Sequence, residues 1–436
     1  MAYLIIEGGK KLSGTVANQS AKNAAMPILC AAVMIKGVVT LSKVPQIEEV
    51  ERMIELLVSI GVRIAKPAPG TLVIDASENL MLERMDKRAA EMMRSSLYLL
   101  GALSHRQREY KLFRSGGCKL GHRTVRPHLL ALEKLGIKVH TKPGCYKVEN
   151  SKSLKGAEIV MYESSDMATG NAIMAAVLAK GETVIKMASA NYSVQDLCYF
   201  LIKAGAKIKG VGTTTLTIEG VAKLHTVAEY SIMPDPIVAM TLISAAIATR
   251  SHLTIKDCPL EFLELELYKL EIMGQKLHSK NKHQSDSGAF TLVDVEVIPS
   301  KLKALPDKIE CRPFPGLNID NLPLFIPILA LAEGRTMVHD WVYEDRAIYS
   351  LELKKLGANI TLIDTHRVWV EGPTIFVPNE VVAPPALRPA MNVLIAMLAA
   401  KGRSILRNTY IIDRGYENIY ETLRAAGAKI QVINDK

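Results

Sequence analysis

Apolar residues in this chain recur every three to four positions in short runs that end on glycine and give way to alternation. MIELLVSI closes on Gly61 before VRI, LLALEKL on Gly136 before IKV, and CYFLIKA on Gly205 before AKI. The pattern returns as LYKLEIM at Gly274, LELKKL at Gly357 and ETLRAA at Gly427, at spacings of 69 to 83 residues. The first period predicts amphipathic helices and the second half-buried strands. The glycine supplies the left-handed turn out of each helix. A further alternating run follows in KPAPGTLVIDA, IKGVGTTTLTIEG and ITLIDTHRVWVEG, predicting hairpins.

A second signal precedes five of these glycines by 23 to 25 residues. There a small-residue helix turns into a strand: AAVMIKG at Gly37, AAVLAKG at Gly181, AAIATRS at Ser251, LALAEG at Gly334 and MLAAKG at Gly402. The remaining unit carries ALSHRQREYKLF and an insertion, SGGCKLGHRTVRP, and an insertion that interrupts a repeat reads as a functional loop. Units this long are not those of a solenoid. They predict two α/β domains of three units each, helices making the core and strands its cover, divided near Glu229–Pro234. The segments YLIIEG and LSGTVANQ at the start read as a hairpin-like pair.

Composition narrows the function. The chain of 436 residues is 49% apolar and 22% charged, which fits globular domains and excludes a disordered or fibrous protein. Aromatic residues are 5%, too few for an aromatic nucleic-acid platform. The net charge of +10 fits an anionic partner, whether a small phosphorylated substrate, nucleic acid or a membrane surface, and the basic segment SKNKHQ, 279–284, reads as a solvated loop. Six dispersed cysteines without a CxxC read as free thiols in a reducing compartment. No signal peptide and no apolar run of bilayer length is visible, so the expected location is cytoplasmic.

The absence of a P-loop and a dinucleotide fingerprint leaves nucleoside triphosphate and NAD readings weak, no histidine set at metal spacing suggests a zinc cofactor, and no GxSxG signals a hydrolase. What remains are loops. Lys22, in NQSAKNAA, opens an apolar helix, where it reads either as a phosphate ligand beside helix-start amides or as a solvated lysine. Cys118, in GGCKLGHR, has glycines before it and cationic neighbours, which would favour a thiolate and attract an anion; the alternative is an inert thiol. Asp320, in PGLNIDNLP, reads as a helix cap or a base. Arg346, Arg388 and Arg414 each lie where a unit starts a new helix, and taken individually each reads as a surface or structural arginine before a functional one.

Together, SAKNAA, GGCKLGHR, DNLPLF, YEDR, ALR and IDRGYE resemble the enolpyruvyltransferase family along essentially the whole chain, and within it the branch that uses UDP-N-acetylglucosamine. The resemblance implies a two-domain inside-out α/β barrel of six repeated units, three per domain. One domain would span 22–232 with the Cys118 loop and the other 1–21 plus 233–436, with the substrates between them. It implies enolpyruvyl transfer from phosphoenolpyruvate to a hydroxyl of the UDP-sugar with release of phosphate. That reaction is the first committed step of peptidoglycan synthesis; a different acceptor, such as a nucleotide, or a non-catalytic homologue is the alternative. Residue by residue, it implies that Lys22 and Asn23 bind the phosphate and the acceptor, and that Arg94 and Val342 lie at the acceptor. Cys118 would be a general acid and the fosfomycin target, Arg123 and Arg414 phosphate ligands, Arg346 and Arg388 carboxylate clamps, and Asp320 the general base. The partners implied are small molecules alone, with no nucleic acid and no membrane, and a monomer or weak homo-oligomer.

The departures are one-sided. The family's Arg-Pro-Val-Asp after the cysteine is Arg123-Thr124-Val125-Arg126, which places Arg126 on the acceptor side. Its Lys-Val-Ser-Val-Gly is Glu163-Ser164-Ser165-Asp166-Met167, its Arg-Glu-Pro-Glu is Ala190-Asn191-Tyr192-Ser193, and a lysine is Glu48. Its aspartate two before the clamping arginine is Ala386. The phosphoenolpyruvate half is kept while the acceptor half is rewritten, and a glutamate for a lysine near a diphosphate would repel it.

Overall fold

A single local path recurs in this computed structural model, which describes residues 2–116 and 124–434: strand, helix, then two strands. Val38–Ser42 leads through the helix Glu48–Ser59 into the hairpin Arg63–Ala68 and Thr71–Asp75, whose second strand folds back antiparallel onto the first. Glu182–Lys186, the helix Tyr192–Lys203 and the hairpin Lys207–Lys209 with Thr215–Glu219 repeat it. In each of these sheets a short parallel strand joins the free edge, Val227–Ser231 in one and Glu158–Val160 in the other. Alternation sets the register: Val39, Leu41, Leu72 and Ile74 are all buried on the inner face. The helix-ending glycines adopt the left-handed backbone the pattern demands, with φ of +96° at Gly61, +97° at Gly205 and +104° at Gly427.

The described residues gather into two units, one of residues 2–19 and 234–434, the other of 20–116 and 124–233. Each is α+β. In the first, the helices Pro236–Ala248, Phe325–Leu331 and Leu387–Ala399 pack on one another beneath sheets. Every residue of Pro236–Ala248 is buried, as a helix apolar on all sides must be. It starts sharply, because Asp235 accepts the Ile237 N–H at 2.7 Å and Pro236 fills the first turn. In the second unit Lys22–Ala32 and Asp166–Ala176 are largely buried helices. Among the described residues, no helix is long and apolar enough to cross a membrane.

Three sequence expectations differ from the fold. The first two strands are not a hairpin: Ala2–Gly8 lies between Gly402–Arg407 and Lys429–Asn434, whereas Ser13–Ala17 runs parallel to His252–Pro259 in another sheet. Both edges of the first strand are occupied, so none is left for the second. The basic segment 279–284 is not a loop but part of the edge strand Lys276–Gln284, paired antiparallel with Thr291–Ile298. Its lysines and histidines point to solvent, the usual protection of an exposed edge. The run before Gly357 is a 3-10 helix, Arg346–Leu356, rather than an α-helix.

Candidate active site

The two units each carry one polar cluster built on helix starts. In the first unit, Asp320 precedes the 3-10 turn Leu322–Leu324 and the apolar helix Phe325–Leu331. It does not cap them: its carboxylate stands between two guanidiniums, 3.5 Å from Arg346 Nη1 and 3.8 Å from Arg388 Nη2. These are ion contacts longer than good hydrogen bonds, the geometry of a carboxylate shared by two cations. Arg346 is only 2% exposed. Its Nε donates to Asp340, its Nη2 donates to the Ile319 carbonyl at 2.6 Å, and it lies 4.5 Å from the Tyr343 ring centre. Burial opposes its charge, yet Asp340 and Asp320 outweigh burial and hold the guanidinium above its ordinary value. Arg388, the second residue of Leu387–Ala399, is buried over the Tyr416 ring at 4.9 Å. Tyr416 is anchored through Thr241 at 2.8 Å.

The Asp320 loop is itself held from below. Glu266, on the helix Glu264–Ile272, accepts the Asn318 N–H at 3.2 Å and Asn321 Nδ2 at 2.8 Å. The Asn318 side chain in turn accepts the Asp320 N–H at 2.9 Å. Burial raises the Glu266 carboxyl to about 6, against the lowering effect of these bonds.

In the second unit, Lys22 is the first residue of its helix, with no side-chain cap before it. Its ammonium pairs with Glu49 Oε2 at 2.9 Å, and Ser95 Oγ donates to Glu49 Oε1 at 3.0 Å. One carboxylate thus fixes the lysine and ties it to the segment of Arg94, whose Nη2 donates to the Thr124 carbonyl at 3.2 Å. Asn23 donates to the Tyr192 hydroxyl at 3.0 Å. Tyr192 opens a helix whose start is bound to Asp166: Ser189 Oγ, Asn191 Nδ2 and Ser193 Oγ all donate to that carboxylate, at 2.5, 2.8 and 3.2 Å.

The expected residues therefore fall into place unevenly. Asp320, Arg346 and Arg388 converge, and Lys22 is joined through Glu49 and Ser95 to the segment that begins at Arg94. Val342 is exposed on the loop before Arg346–Leu356, Arg414 is half-buried after the short helix Tyr410–Asp413, and exposed Arg126 opens the helix Arg126–Lys134. Ala386 caps nothing with its side chain. Cys118 and Arg123 lie outside the described residues. The sequence reading missed Glu49, Asp340 and Glu266, and it had Asp166 only as a departure in the acceptor half, without the bonds that hold it. Asp340 had a signal, six residues before the arginine of YEDR; Glu266 had only its place on a face that leucines fill. Among the described residues, no group of three histidine, cysteine or carboxylate side chains converges as a metal set.

The first cluster holds paired arginines around a shared carboxylate and the second a fixed lysine, and each is chemistry suited to an anion. The EPSP synthase (3-phosphoshikimate 1-carboxyvinyltransferase) family profile matches residues 6–423. The UDP-N-acetylglucosamine 1-carboxyvinyltransferase of Lawsonia intracellularis is 36% identical over 441 residues, with 100% of both chains covered. A similarly named relative, numbered 2, from Caldanaerobacter subterraneus subsp. tengcongensis is 35% identical, with 99% of each chain covered. Among solved structures, the enolpyruvyl transferase NikO from Streptomyces tendae superposes with a TM-score of 0.84 at 25% identity, covering 100% of this chain and 99% of that one. EPSP synthase from Acinetobacter baumannii shares the fold, with a TM-score of 0.76 at 19% identity and coverage of 99% and 100%. With its full length matched in sequence and in fold, the chain belongs to the EPSP synthase family of enolpyruvyltransferases.

Proposed function

We propose that this chain transfers the enolpyruvyl group of phosphoenolpyruvate to a hydroxyl of UDP-N-acetylglucosamine, the first committed step of peptidoglycan synthesis. The observation that carries this reading is the end-to-end identity of 36% with a relative named for that reaction. The Asp320 cluster supports it. Phosphoenolpyruvate carries about three negative charges, and paired guanidiniums orient a carboxylate as well as neutralising it. In this reading Arg346 and Arg388 take the carboxylate, while Lys22, Arg123 and Arg414 take the phosphate.

The reaction needs a proton delivered to the methylene carbon of phosphoenolpyruvate and one removed from the attacking hydroxyl. Cys118 is assigned the first task and Asp320 the second. The hydroxyl oxygen bonds to the central carbon, giving a tetrahedral adduct. Loss of phosphate and of a methyl proton then restores the double bond. Asn23, Arg94, Arg126 and Val342 are assigned to the acceptor. The two-domain barrel of six units, with domains over 22–232 and over 1–21 plus 233–436, belongs to the same proposal.

A second acceptor is favoured by one specific observation. The segment expected to face a diphosphate carries Glu163 and Asp166, and Asp166 is held in place by three donors. A fixed carboxylate repels a second anion and favours an acceptor whose hydroxyls donate to it. Phosphate release measured with UDP-N-acetylglucosamine, UMP and 3-phosphoshikimate in parallel separates the two readings. Release with the UDP-sugar supports the first, and release with UMP alone supports the second.

A further inference from the structure

Glu266 is an acid where the helix pattern calls for an apolar residue: it lies beside Leu267 and Leu270 on the buried face of Glu264–Ile272 and is 2% exposed. An ionisable group is costly there unless something requires it. What it touches is the loop that carries Asp320. One oxygen, Oε1, accepts both the Asn318 N–H and Asn321 Nδ2, and so brackets Asp320 on either side. From Asn318 the chain of bonds continues to the Asp320 N–H, and the carbonyl of the intervening Ile319 accepts from Arg346. The far end of the segment has other anchors: Asn392 donates to the Pro323 carbonyl and Ser244 to the Leu324 carbonyl, both at 2.8 Å. Glu266 contacts the near end, where the chemistry is proposed.

We propose that Glu266 is a positioning residue: by bracketing Asn318 and Asn321 it fixes the carboxylate of Asp320 between Arg346 and Arg388. It touches no substrate and acts through the loop. The proposal rests on the transfer reaction assigned above, and deepens it by adding a residue outside the segments that carry the family resemblance. A leucine at 266 removes both bonds. A glutamine keeps an acceptor oxygen of the same reach and can make both.

The test compares wild type, Glu266→Leu, Glu266→Gln and Asn321→Ala in steady-state turnover and in amide hydrogen exchange over residues 318–321. A small displacement of a reacting group is enough to cost about a hundredfold in rate. Glu266→Leu is expected to lower kcat by about tenfold or more, with a smaller change in the KM for phosphoenolpyruvate, and to speed exchange at 318–321. Glu266→Gln should restore kcat to within about threefold of wild type, a rescue that a purely packing role does not give. Should Glu266→Leu not fold, Asn321→Ala removes one of the two bonds from the other side and should lower kcat in the same direction by a smaller factor. Unchanged exchange at 318–321, or faster exchange with an unchanged kcat, overturns the proposal. If wild type turns over no acceptor at all, the transfer assignment fails, and the exchange comparison still decides whether Glu266 holds the loop.

Discussion

Arg388 and Arg346 share Asp320 but are held differently, and that difference predicts how each fails. Arg346 is tied to Asp340, to the Ile319 carbonyl and to the Tyr343 ring, so truncating it strands a buried carboxylate and destabilises the loop as well as the site. Arg388 rests on the Tyr416 ring and lies 3.8 Å from an Asp320 oxygen. Arg388→Ala should therefore raise the phosphoenolpyruvate concentration needed for half-maximal turnover by about tenfold or more, in an otherwise folded protein. An unaltered requirement would remove Arg388 from the site. Lys22 depends on Glu49 for its position, so Glu49→Ala should weaken phosphoenolpyruvate binding about tenfold while Ser95→Ala does so less, as calorimetric titration would show. A buried acid one turn further along the helix Tyr192–Lys203 gives a pH signature. Burial raises Asp196 to about 7, although the Tyr230 hydroxyl and the Met233 N–H donate to it. Its folded value lies above its unfolded one, so the group costs nothing below the unfolded value and costs stability progressively as pH rises toward 7. Between about pH 5 and about pH 8, Asp196→Asn should gain about 2 to 3 kcal/mol of stability relative to wild type, measured by denaturant unfolding. A pH-independent difference would place the acid in a more polar setting than the structure gives it.

At the scale of elements, the repeated helix–glycine–strand path was legible because one residue type carries it. Only glycine takes φ near +97° at position 205 without strain, and a Cβ there would also meet the His225 ring at 2.8 Å. Gly205→Ala should cost about 1 to 2 kcal/mol of unfolding free energy, and a neutral result would mean that the turn relaxes easily. The hairpins at 63–75, 207–219 and 359–372 were equally legible from alternation flanking short polar turns. The start of the chain was misread for a reason local pattern cannot cure. Ala2–Gly8 looks like half a hairpin, yet its partners lie some four hundred residues away in sequence, at Gly402–Arg407 and Lys429–Asn434. The strand at 279–284 was misread because its partner strand, not its own composition, makes it a strand.

At the scale of the molecule, the motif residues were found in the sequence but not the residues that hold them. Lys22, Asp320, Arg346 and Arg388 stand in recognisable segments, whereas Glu49, Asp340 and Glu266 are ordinary acids in ordinary helices or loops until the fold places them. Motifs report what meets a ligand, and supporting bonds depend on three-dimensional proximity that spacing does not encode. The same asymmetry marks the acceptor question, since substitution at Glu163–Met167 is visible in the sequence while the Asp166 network that fixes its charge is not. The most direct test of the account is release of inorganic phosphate from phosphoenolpyruvate with UDP-N-acetylglucosamine, beside no acceptor, UMP and 3-phosphoshikimate. The account predicts rapid release with the UDP-sugar, matched by an equal amount of its enolpyruvyl ether. Silence with the UDP-sugar while another acceptor drives release would contradict the proposed acceptor, and silence with all of them would contradict the transfer itself.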